Sequence, residues 1–137
     1  MANIEIKRGQ QTQVDLKYTP SGSSHTFNFY TNDARYTATL KIRRKVGTSV
    51  TDDLIDTLNS VTSGSTQNTA GRIRFPNVGS SSTASNIMLR WETANSAALP
   101  NEAITVYGDL KIKDTDENPD EVIHSFRLTF DILPEII

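Results

Sequence analysis

The sequence predicts an all-β protein, an antiparallel sandwich or barrel of roughly seven to nine short strands with one or two short helical turns. Apolar residues recur at every second position along most of the chain, which is typical of strands that bury one face. Helical spacing is scarce, and polar turns separate the apolar runs. The chain has 137 residues, the usual size of one domain, so residues 1–137 are predicted to form a single domain.

The first third of the chain contains four predicted strands. Their inward-facing residues are Ile4 and Ile6, then Val14, Leu16 and Tyr18, then Phe27 and Phe29, then Tyr36, Ala38, Leu40 and Ile42. Turn residues separate these sets, with Gly9 after the first, Pro20 after the second and Gly47 after the last. The opposite face of the fourth strand is polar and includes Lys41 and Arg43.

The middle of the chain is rich in serine, threonine and asparagine, and a polar insertion is predicted at about residues 57–85. Just before and within it, "DDLIDTLN" is interpreted as one or two helical turns that turn Leu54, Ile55 and Leu58 inward. "GRIRF" predicts a short strand, and "NVGSSSTAS" predicts a loop whose composition cannot order itself. A strand at Ile87–Trp91 and a helical turn in "ETANSAALP", stopped before Pro100, complete this region.

The last third predicts a long β-hairpin, because two alternating apolar sets flank an acidic stretch. The first set is Ile104, Val106, Gly108, Leu110 and Ile112, and the second is Val122, His124, Phe126, Leu128, Phe130 and Ile132.

Composition excludes several classes of function. The formal net charge is −2 with a pI of about 5.6, which argues against a general electrostatic attraction to nucleic acid or anionic membranes. Cysteine is absent, so there is no disulfide, thiolate zinc site or thiol nucleophile. The first residues are charged and no apolar run reaches the length of a signal peptide or membrane span, so the protein is expected to be made in the cytoplasm.

The acidic stretch "KDTDENPDEVIH" raises the question of a metal site, with Asp114, Asp116 and Asp120 as the candidates. Counted from Asp114, the sixth position of a helix-loop-helix calcium loop would be Pro119 and the twelfth Ser125, where glycine and glutamate are required. A looser loop site remains open. The favoured interpretation is a solvated hairpin tip without a metal, since Asp, Asn and Pro suit turn geometry.

No catalytic constellation stands out, and no cofactor is predicted. His25 and His124 are the only histidines, and His124 falls on the inward face of its strand, which favours a buried structural imidazole. The chain has no G-x-S-x-G elbow and no phosphate-binding glycine loop. A hydrolase built on a histidine is the weakest hypothesis, and no enzyme activity is expected.

The candidate interaction residues are a basic row and two tyrosines. "KIRRK" would place Lys41, Arg43 and Lys45 on one strand face, and a subunit contact or a solvated face is favoured over phosphate binding. Tyr30 and Tyr107 are out of phase with the apolar faces, so both are predicted to be exposed and available to a glycan. Trp91, in phase with Ile87 and Leu89, is predicted to be core.

Three segments of the chain resemble a family of small bacteriophage structural domains. They are "MANIEIKRGQQTQVDLKY", "ARYTATLKIRRKVGTS" and "ETANSAALPNEAITVYGDLKIKDTDENPDEVIHSFRLTFDILPEI". They are similar to the N-terminal domain of phage baseplate upper proteins. The residues at the positions of this pattern are Ile6, Gly9, Leu16, Tyr36, Ala38, Ile42, Arg43, Leu99, Pro100, Tyr107, Asp109, Leu110 and Ile112. The middle segment is longer and more polar than the family's linker, and the C-terminal receptor-binding or fibre domain is missing.

The resemblance implies an immunoglobulin-like sandwich and a non-enzymatic role in the virion. The expected partners are other capsid or tail subunits, bound in many copies, and the expected location is the virion. A capsid decoration or cement protein and a head-tail or tail component both remain open. A glycan-binding module for host attachment is the alternative hypothesis, with Tyr30, Tyr107 and the 114–120 loop as contacts.

Overall fold

The structure is a computed structural model that describes residues 3–19, 22, 24–30, 35–44, 54–62, 66–115 and 121–134, with side chains from residue 124 onward in the last range. Its elements are β1 (Ile4–Lys7), β2 (Thr12–Leu16), β3 (Tyr36–Arg43), β4 (Leu54–Asn59), β5 (Ile73–Arg74), β6 (Ile87–Trp91), α1 (Thr93–Ala97), β7 (Ile104–Asp114) and β8 (Glu121–Leu133). None of the helices in these ranges is long and apolar enough to cross a membrane.

The strands form two sheets. The large sheet has the order β1-β8-β7-β3-β4, and the small sheet has the order β2-β6-β5. All strand pairs are antiparallel except β1 with β8, which run parallel. This arrangement is that of a variable-type immunoglobulin sandwich. One sheet contains β8, β7 and β3 with β4 beside β3, and the opposite sheet contains β2, β6 and β5. The predicted all-β sandwich is therefore confirmed.

Alternate residues of both sheets fill the space between them. The largest fully buried side chains are Trp91, Phe29, Phe75, Phe130, Ile6, Leu40, Ile42, Leu58, Ile73, Ile87, Leu89 and Leu110. Trp91 is core, as predicted, and its ring meets Phe130 edge-on at a centroid distance of 5.7 Å. Burial of this apolar surface is the main stabilising term, at roughly 25 cal/mol per Å².

Gly108 lets the large sheet approach its own core side chains. A Cβ at this position of β7 would lie 2.8 Å from Leu40 Cδ1 and 2.9 Å from Phe130 Cε2. The glycine predicted on the inward face of the hairpin is thus required by packing.

The helix α1 is the helical turn predicted in "ETANSAALP". Glu92 and Asn95 form a capping box, which satisfies backbone donors at the helix start. Ser96 is buried; its Oγ donates to the Gln10 carbonyl at 2.7 Å and accepts from the Gly9 N–H at 3.1 Å. The helix therefore fastens the turn between β1 and β2.

The helical interpretation of "DDLIDTLN" is wrong, because residues 54–59 form strand β4. This strand pairs with β3, with Leu58 opposite Leu40 and Asp56 opposite Ile42. Leu58 would be buried in a helix as well as in a strand, so its predicted burial could not distinguish the two conformations. Pairing with a long neighbouring strand overrides local propensity.

The strand predicted around Phe27 and Phe29 does not form, because residues 26–30 adopt neither helix nor strand. Phe29 is nevertheless fully buried, and Phe27 is half-buried. The Phe27 N–H donates to the Tyr18 carbonyl at 3.1 Å. The alternation of apolar residues thus identified which side chains are buried here, but it did not predict the backbone conformation.

The described part of the polar segment 57–85 folds against the sandwich. Gln67 is buried, and its Nε2 donates to the Tyr36 carbonyl. Thr26 donates to the Ser81 carbonyl through its N–H at 2.9 Å and its Oγ1 at 2.8 Å. The residues of "NVGSSSTAS" form neither helix nor strand, as predicted. Several of their polar groups form hydrogen bonds with residues 26–28 or with each other.

Candidate interaction surface

The outer face of the large sheet carries a concentration of positive charge. Five of its cations lie on three adjacent strands: Lys41 and Arg43 on β3, Lys111 and Lys113 on β7, and Arg127 on β8. They alternate with buried residues along each strand, so they share the side that faces away from the core. These five residues, together with Tyr107 at one end, are called the basic face.

Strand register fixes the order of side chains across the basic face. Lys41 lies opposite Asp109, and Asp109 lies opposite Arg127. Arg127 Nε is 3.7 Å from Asp109 Oδ1, and the two side chains are 58% and 42% exposed. An ion pair this long and this exposed is worth little. Asp109 therefore leaves most of the surrounding positive charge uncompensated.

Asp109 is the one carboxylate between the cations among the described residues of this face. Asp131 lies further along β8, where its Oδ1 accepts hydrogen bonds from Asn3 at 3.1 Å and Thr105 at 2.7 Å. The whole chain is net negative at −2, so the positive charge of the basic face belongs to a strongly uneven distribution. Such a distribution steers an acidic partner toward one side of the molecule.

Arg43 and Tyr107 form a directly opposed cross-strand pair at the end of the basic face. Both are half-buried. The Nη1 atom of Arg43 is buried and has no hydrogen-bond partner among the described residues. Opposed residues have Cβ atoms about 5 Å apart, so the guanidinium is within reach of the phenol ring. A buried donor without an acceptor is costly, and a bound partner could supply the acceptor.

The predicted interaction residues divide into two groups. Lys41, Arg43 and Tyr107 lie together on the basic face, whereas Lys45 lies outside the described residues. Tyr30 and Tyr107 are both half-buried, so the prediction that they are exposed is wrong for both, and Tyr30 also packs against the core. The two tyrosines therefore do not form a common platform.

Lys111, Lys113 and Arg127 were missed by the sequence interpretation. A recognisable signal was present, because all three are out of phase with the apolar residues of their strands. The predicted hairpin pairs β7 with β8, but the sequence does not state that β3 lies on the other side of β7. Without that relation, the cations of β3 stay separate from those of the hairpin.

Asp114 is not a solvated residue of a hairpin tip. It is 5% exposed at the end of β7, and Arg35 holds it by two hydrogen bonds, Nε to Oδ1 and Nη2 to Oδ2, both 2.8 Å long. Both carboxylate oxygens are thus engaged by a cation, which does not suit a metal ligand. Asp116 and Asp120 lie outside the described residues, within which no group of three or more His, Cys, Asp or Glu could hold a metal ion.

The two histidines occupy different environments. His25 is exposed, with its Nδ1 3.0 Å from Ser24 Oγ. His124 is half-buried, and its ring lies 4.4 Å from the Tyr18 ring centroid and 5.7 Å from that of Phe29. Burial lowers the pKa of His124, because the aromatic surroundings disfavour the charged imidazolium. The predicted inward position of His124 is confirmed.

Another ion pair, between Asp56 and Arg72, lies on the inner side of the large sheet. Arg72 Nη1 donates to Asp56 Oδ1 at 2.9 Å and Nη2 to Oδ2 at 2.7 Å. Trp91 Nε1 also donates to Asp56 Oδ2, at 3.1 Å. Asp56 therefore pairs with Arg72 and Trp91 on the core side of the sheet. This network connects β4 with β6 and has a structural role.

Comparison with known proteins adds little to this description. No protein-family model and no curated protein matches the chain. Among solved structures, the chain is similar to the NK cell receptor NKp44, described as a triggering partner in natural cytotoxicity, with 15% identity and a TM-score of 0.41. The match covers 96% of this chain and 99% of that one. The fold assignment rests on strand order and pairing.

Proposed function

We propose that this chain is a non-enzymatic structural protein of a bacteriophage virion, which binds neighbouring subunits in many copies through the basic face. The observation that carries the proposal is the basic face itself, where five cations surround one weakly paired carboxylate. The sequence resemblance to phage structural domains supports the virion setting. The partner surface is acidic, because only an acidic surface gains from this distribution of charge.

The basic face suits a rigid contact surface. Its cations stand on three adjacent strands whose opposite side is the buried core. Their spacing is fixed by backbone pairing, and the partner therefore does not have to order a loop on binding. Arg43 adds a site where an acceptor from the partner would satisfy a buried donor.

The location in the particle is tested by antibody labelling of purified particles of the virus that encodes this chain, imaged by electron microscopy with a copy-number measurement. Labelling spread over the head in hundreds of copies supports a decoration or cement protein. A few to a few tens of copies at the tail support a connector or tail component. A protein absent from washed particles contradicts the virion proposal.

The role of the basic face is tested by the double variant Lys41→Glu/Lys111→Glu. Both side chains are exposed, and the repulsion that Lys41→Glu introduces opposite Asp109 is small in solvent, so the fold should tolerate the change. Binding to particles assembled without this protein should fall by at least tenfold, and the wild-type affinity should fall as salt rises. The control is Lys17→Glu, an exposed cation directly after β2 of the small sheet. Equal binding by all three proteins contradicts the assignment of the surface.

Glycan binding in host attachment is the alternative, and the observation that favours it is Tyr107 beside Arg43. An aromatic ring next to a guanidinium suits an acidic sugar. Titration with host envelope polysaccharide, with and without calcium, tests this role. Saturable binding that is lost in Tyr107→Ala would support the glycan, and duplex DNA at matched charge serves as the control for unspecific attraction.

A further inference from the structure

One side of the sandwich is open between β2 of the small sheet and β8 of the large sheet. Among the described strands, β2 pairs only with β6. β1 covers β8 only from Phe130 to Leu133. Residues 125–129 of β8 therefore have β7 on one side and no described strand on the other. Such edges accept additional strands readily.

A groove of about 390 Å³ lies between these two edges. Its rim contains Lys17, Ser125 and Arg127, and all three are exposed. No acidic residue lines the groove among the described residues, so its rim is positively charged. This site is called the open groove. Its floor is apolar and consists of Leu16, Tyr18, Ile87, Leu110, Phe126 and Leu128.

The backbone of β8 presents hydrogen-bonding groups along the open groove. The Leu133 carbonyl accepts from the Arg8 N–H at 3.0 Å, on the side of β1 and away from β7. Backbone groups of alternate strand residues point the same way, and β8 pairs without a register shift with residues 104–112 of β7. The N–H and carbonyl groups of Ser125 and Arg127 therefore also point away from β7, toward the opening. Neither residue forms a further backbone hydrogen bond within the part of the chain that the structure describes.

The spacing of the floor residues matches the period of an extended chain. Leu16 and Tyr18 lie two residues apart on one side of the groove, and Phe126 and Leu128 lie two residues apart on the other. Both pairs repeat at roughly 7 Å, which is also the interval between successive inward side chains of a strand. An added strand would therefore place two apolar side chains, at its positions i and i+2, on the floor. The side chain between them would point outward, between the two rims.

The charges on the rims are complementary to an acidic occupant. Lys17 lies on one rim and Arg127 on the other. Arg127 Nε is 3.7 Å from Asp109 Oδ1, and both groups are exposed, so this pair leaves most of the positive charge of Arg127 available. A carboxylate at the outward position of the added strand gains from both cations, whereas an ammonium group there is repelled by both.

The described residues of a second copy of this chain do not supply such a segment. Their strands already turn the alternating apolar side chains toward the core. Entry of one of these strands into the open groove would expose the core that it leaves, at a cost of roughly 25 cal/mol per Å² of apolar surface. The occupant is therefore assigned to another protein.

We propose that the open groove binds an extended acidic segment of another protein by β-augmentation. The segment pairs with Ser125 and Arg127 of β8, places two apolar side chains on the floor and directs a carboxylate between Lys17 and Arg127. The inference goes beyond the proposed function, because the basic face lies on the outer side of the large sheet and the open groove lies at its edge. The two sites share Arg127, and each has further residues of its own.

Three fluorescently labelled peptides test the composition of the segment. In the first, acetyl-Thr-Glu-Leu-Glu-Leu-Glu-Thr-amide, the leucines alternate with glutamates. The second, acetyl-Thr-Glu-Glu-Leu-Leu-Glu-Thr-amide, has the same composition, but its adjacent leucines point to opposite faces of a strand. The third has lysine in place of each glutamate of the first. We expect the first peptide to bind at least tenfold more tightly than the other two, as measured by fluorescence anisotropy at physiological salt. Equal affinities would overturn the proposal.

The variant Ser125→Pro tests the hydrogen bonds of the edge. The Ser125 N–H points toward the opening, so proline removes a donor from the edge and no bond between β7 and β8. We expect at least fivefold weaker binding of the alternating acidic peptide. The control Ser125→Ala keeps the N–H and should bind as the wild type does. Urea unfolding followed by Trp91 fluorescence shows whether each variant is folded, and unchanged binding by folded Ser125→Pro contradicts strand addition.

N-methylation of the peptide tests the same hydrogen bonds without a change in the protein, and it decides the question if Ser125→Pro does not fold. Successive N–H groups of a strand point to opposite sides. Methylation of both leucines therefore blocks one edge of the peptide, and methylation of the glutamate between them blocks the other. One of the two methylated peptides should lose binding while the other retains it. Equal effects of the two would rule out β-augmentation.

Two variants separate the open groove from the basic face. Lys17→Glu should weaken binding of the alternating acidic peptide and leave particle binding intact, whereas Lys41→Glu/Lys111→Glu should have the reverse effects. A single variant that loses both would show one common site and would overturn the inference. Sedimentation of the purified chain tests a second copy as the occupant. Self-association that Ser125→Pro abolishes would assign the open groove to that copy and not to another protein, which also overturns the inference.

Discussion

Asp56 and Asp109 show how the two sides of the large sheet use the same chemistry differently. Each carboxylate faces an arginine. On the inner side, Arg72 binds Asp56 with two bonds of 2.7 and 2.9 Å, and Trp91 adds a third. On the outer side, Arg127 approaches Asp109 no closer than 3.7 Å, with both groups in solvent. The inner pair is committed to the fold, whereas the outer pair leaves its charges available to a partner.

The largest expected effect comes from breaking the inner pair with Asp56→Ala. The change leaves the Arg72 guanidinium and the Trp91 N–H without their acceptor, so we expect a loss of about 3 kcal/mol in the free energy of unfolding. The matched change on the outer side, Asp109→Ala, should cost less than about 0.5 kcal/mol. Urea unfolding of both variants measures the difference, provided that their m-values agree. Equal losses of unfolding free energy in the two variants would mean that the buried ion pair contributes no more to stability than the exposed one.

Gly108 provides the next largest effect, since it is the inward neighbour of Asp109 on β7. Gly108→Ala introduces a methyl group where Leu40 Cδ1 and Phe130 Cε2 would lie 2.8 and 2.9 Å away. We expect a destabilisation of roughly 1–3 kcal/mol from overpacking. Lys111→Ala, at an outward position of the same strand, is the control and should stay within about 0.5 kcal/mol of wild type. Thermal unfolding that shows no difference between the two would refute the packing argument.

The pH dependence of stability provides a further test of the inner side of the large sheet, because His124 lies there. Burial lowers its pKa, so the folded protein binds the proton less readily than the unfolded chain, whose histidine has an ordinary pKa of 6.5. Stability is therefore full above pH 6.5 and decreases as the pH falls from there to the lowered pKa, below which the loss is complete.

Urea midpoints between pH 7.5 and 5 measure this loss. We expect His124→Phe to remove the part of the pH dependence that belongs to the histidine, because phenylalanine keeps an aromatic ring in the cluster. His25→Gln, a change at the exposed histidine, is the control variant. A His124→Phe profile that matches wild type would assign the acid sensitivity to other groups.

The sequence predicted the fold class well because alternation reports directly on which side of a strand is buried. The inward residues of β3, β6, β7 and β8 were identified on this basis. The same rule misled at Leu54–Asn59, where Leu58 is inward in a helix as well as in a strand, and only pairing with β3 decides. Local patterns therefore predict burial better than backbone conformation.

The candidate surface was only half predictable, for a physical reason. Lys41 and Arg43 are visible as a row because they share one strand, and Tyr107 was recognised as out of phase. Lys111 and Arg127 belong to the predicted hairpin and join Lys41 and Arg43 only through the pairing of β7 with β3, which a local pattern does not encode. The ion pairs Asp56 with Arg72 and Asp114 with Arg35 were likewise missed, since their partners are distant in sequence.

The smallest effect on stability is expected on the basic face, where it discriminates best between a structural and a binding role. Lys41 is exposed, and its opposed residue Asp109 is already close to Arg127. Lys41→Ala should therefore change the free energy of unfolding by less than about 0.5 kcal/mol. It should even stabilise slightly at low salt, because it removes one of several like charges that repel each other across neighbouring strands.

That sign is the informative part of the prediction. A surface selected for folding alone would pair its charges, and removing one would then destabilise the protein at low salt. A surface kept for a partner tolerates repulsion in the free state and relieves it on binding, so Lys41→Ala should combine unchanged or improved stability with weaker particle binding. Unfolding curves at 20 mM and 500 mM salt, together with binding at the same two salt concentrations, separate these cases. Destabilisation that vanishes at high salt would mean that Lys41 serves the fold through Asp109 and not a partner.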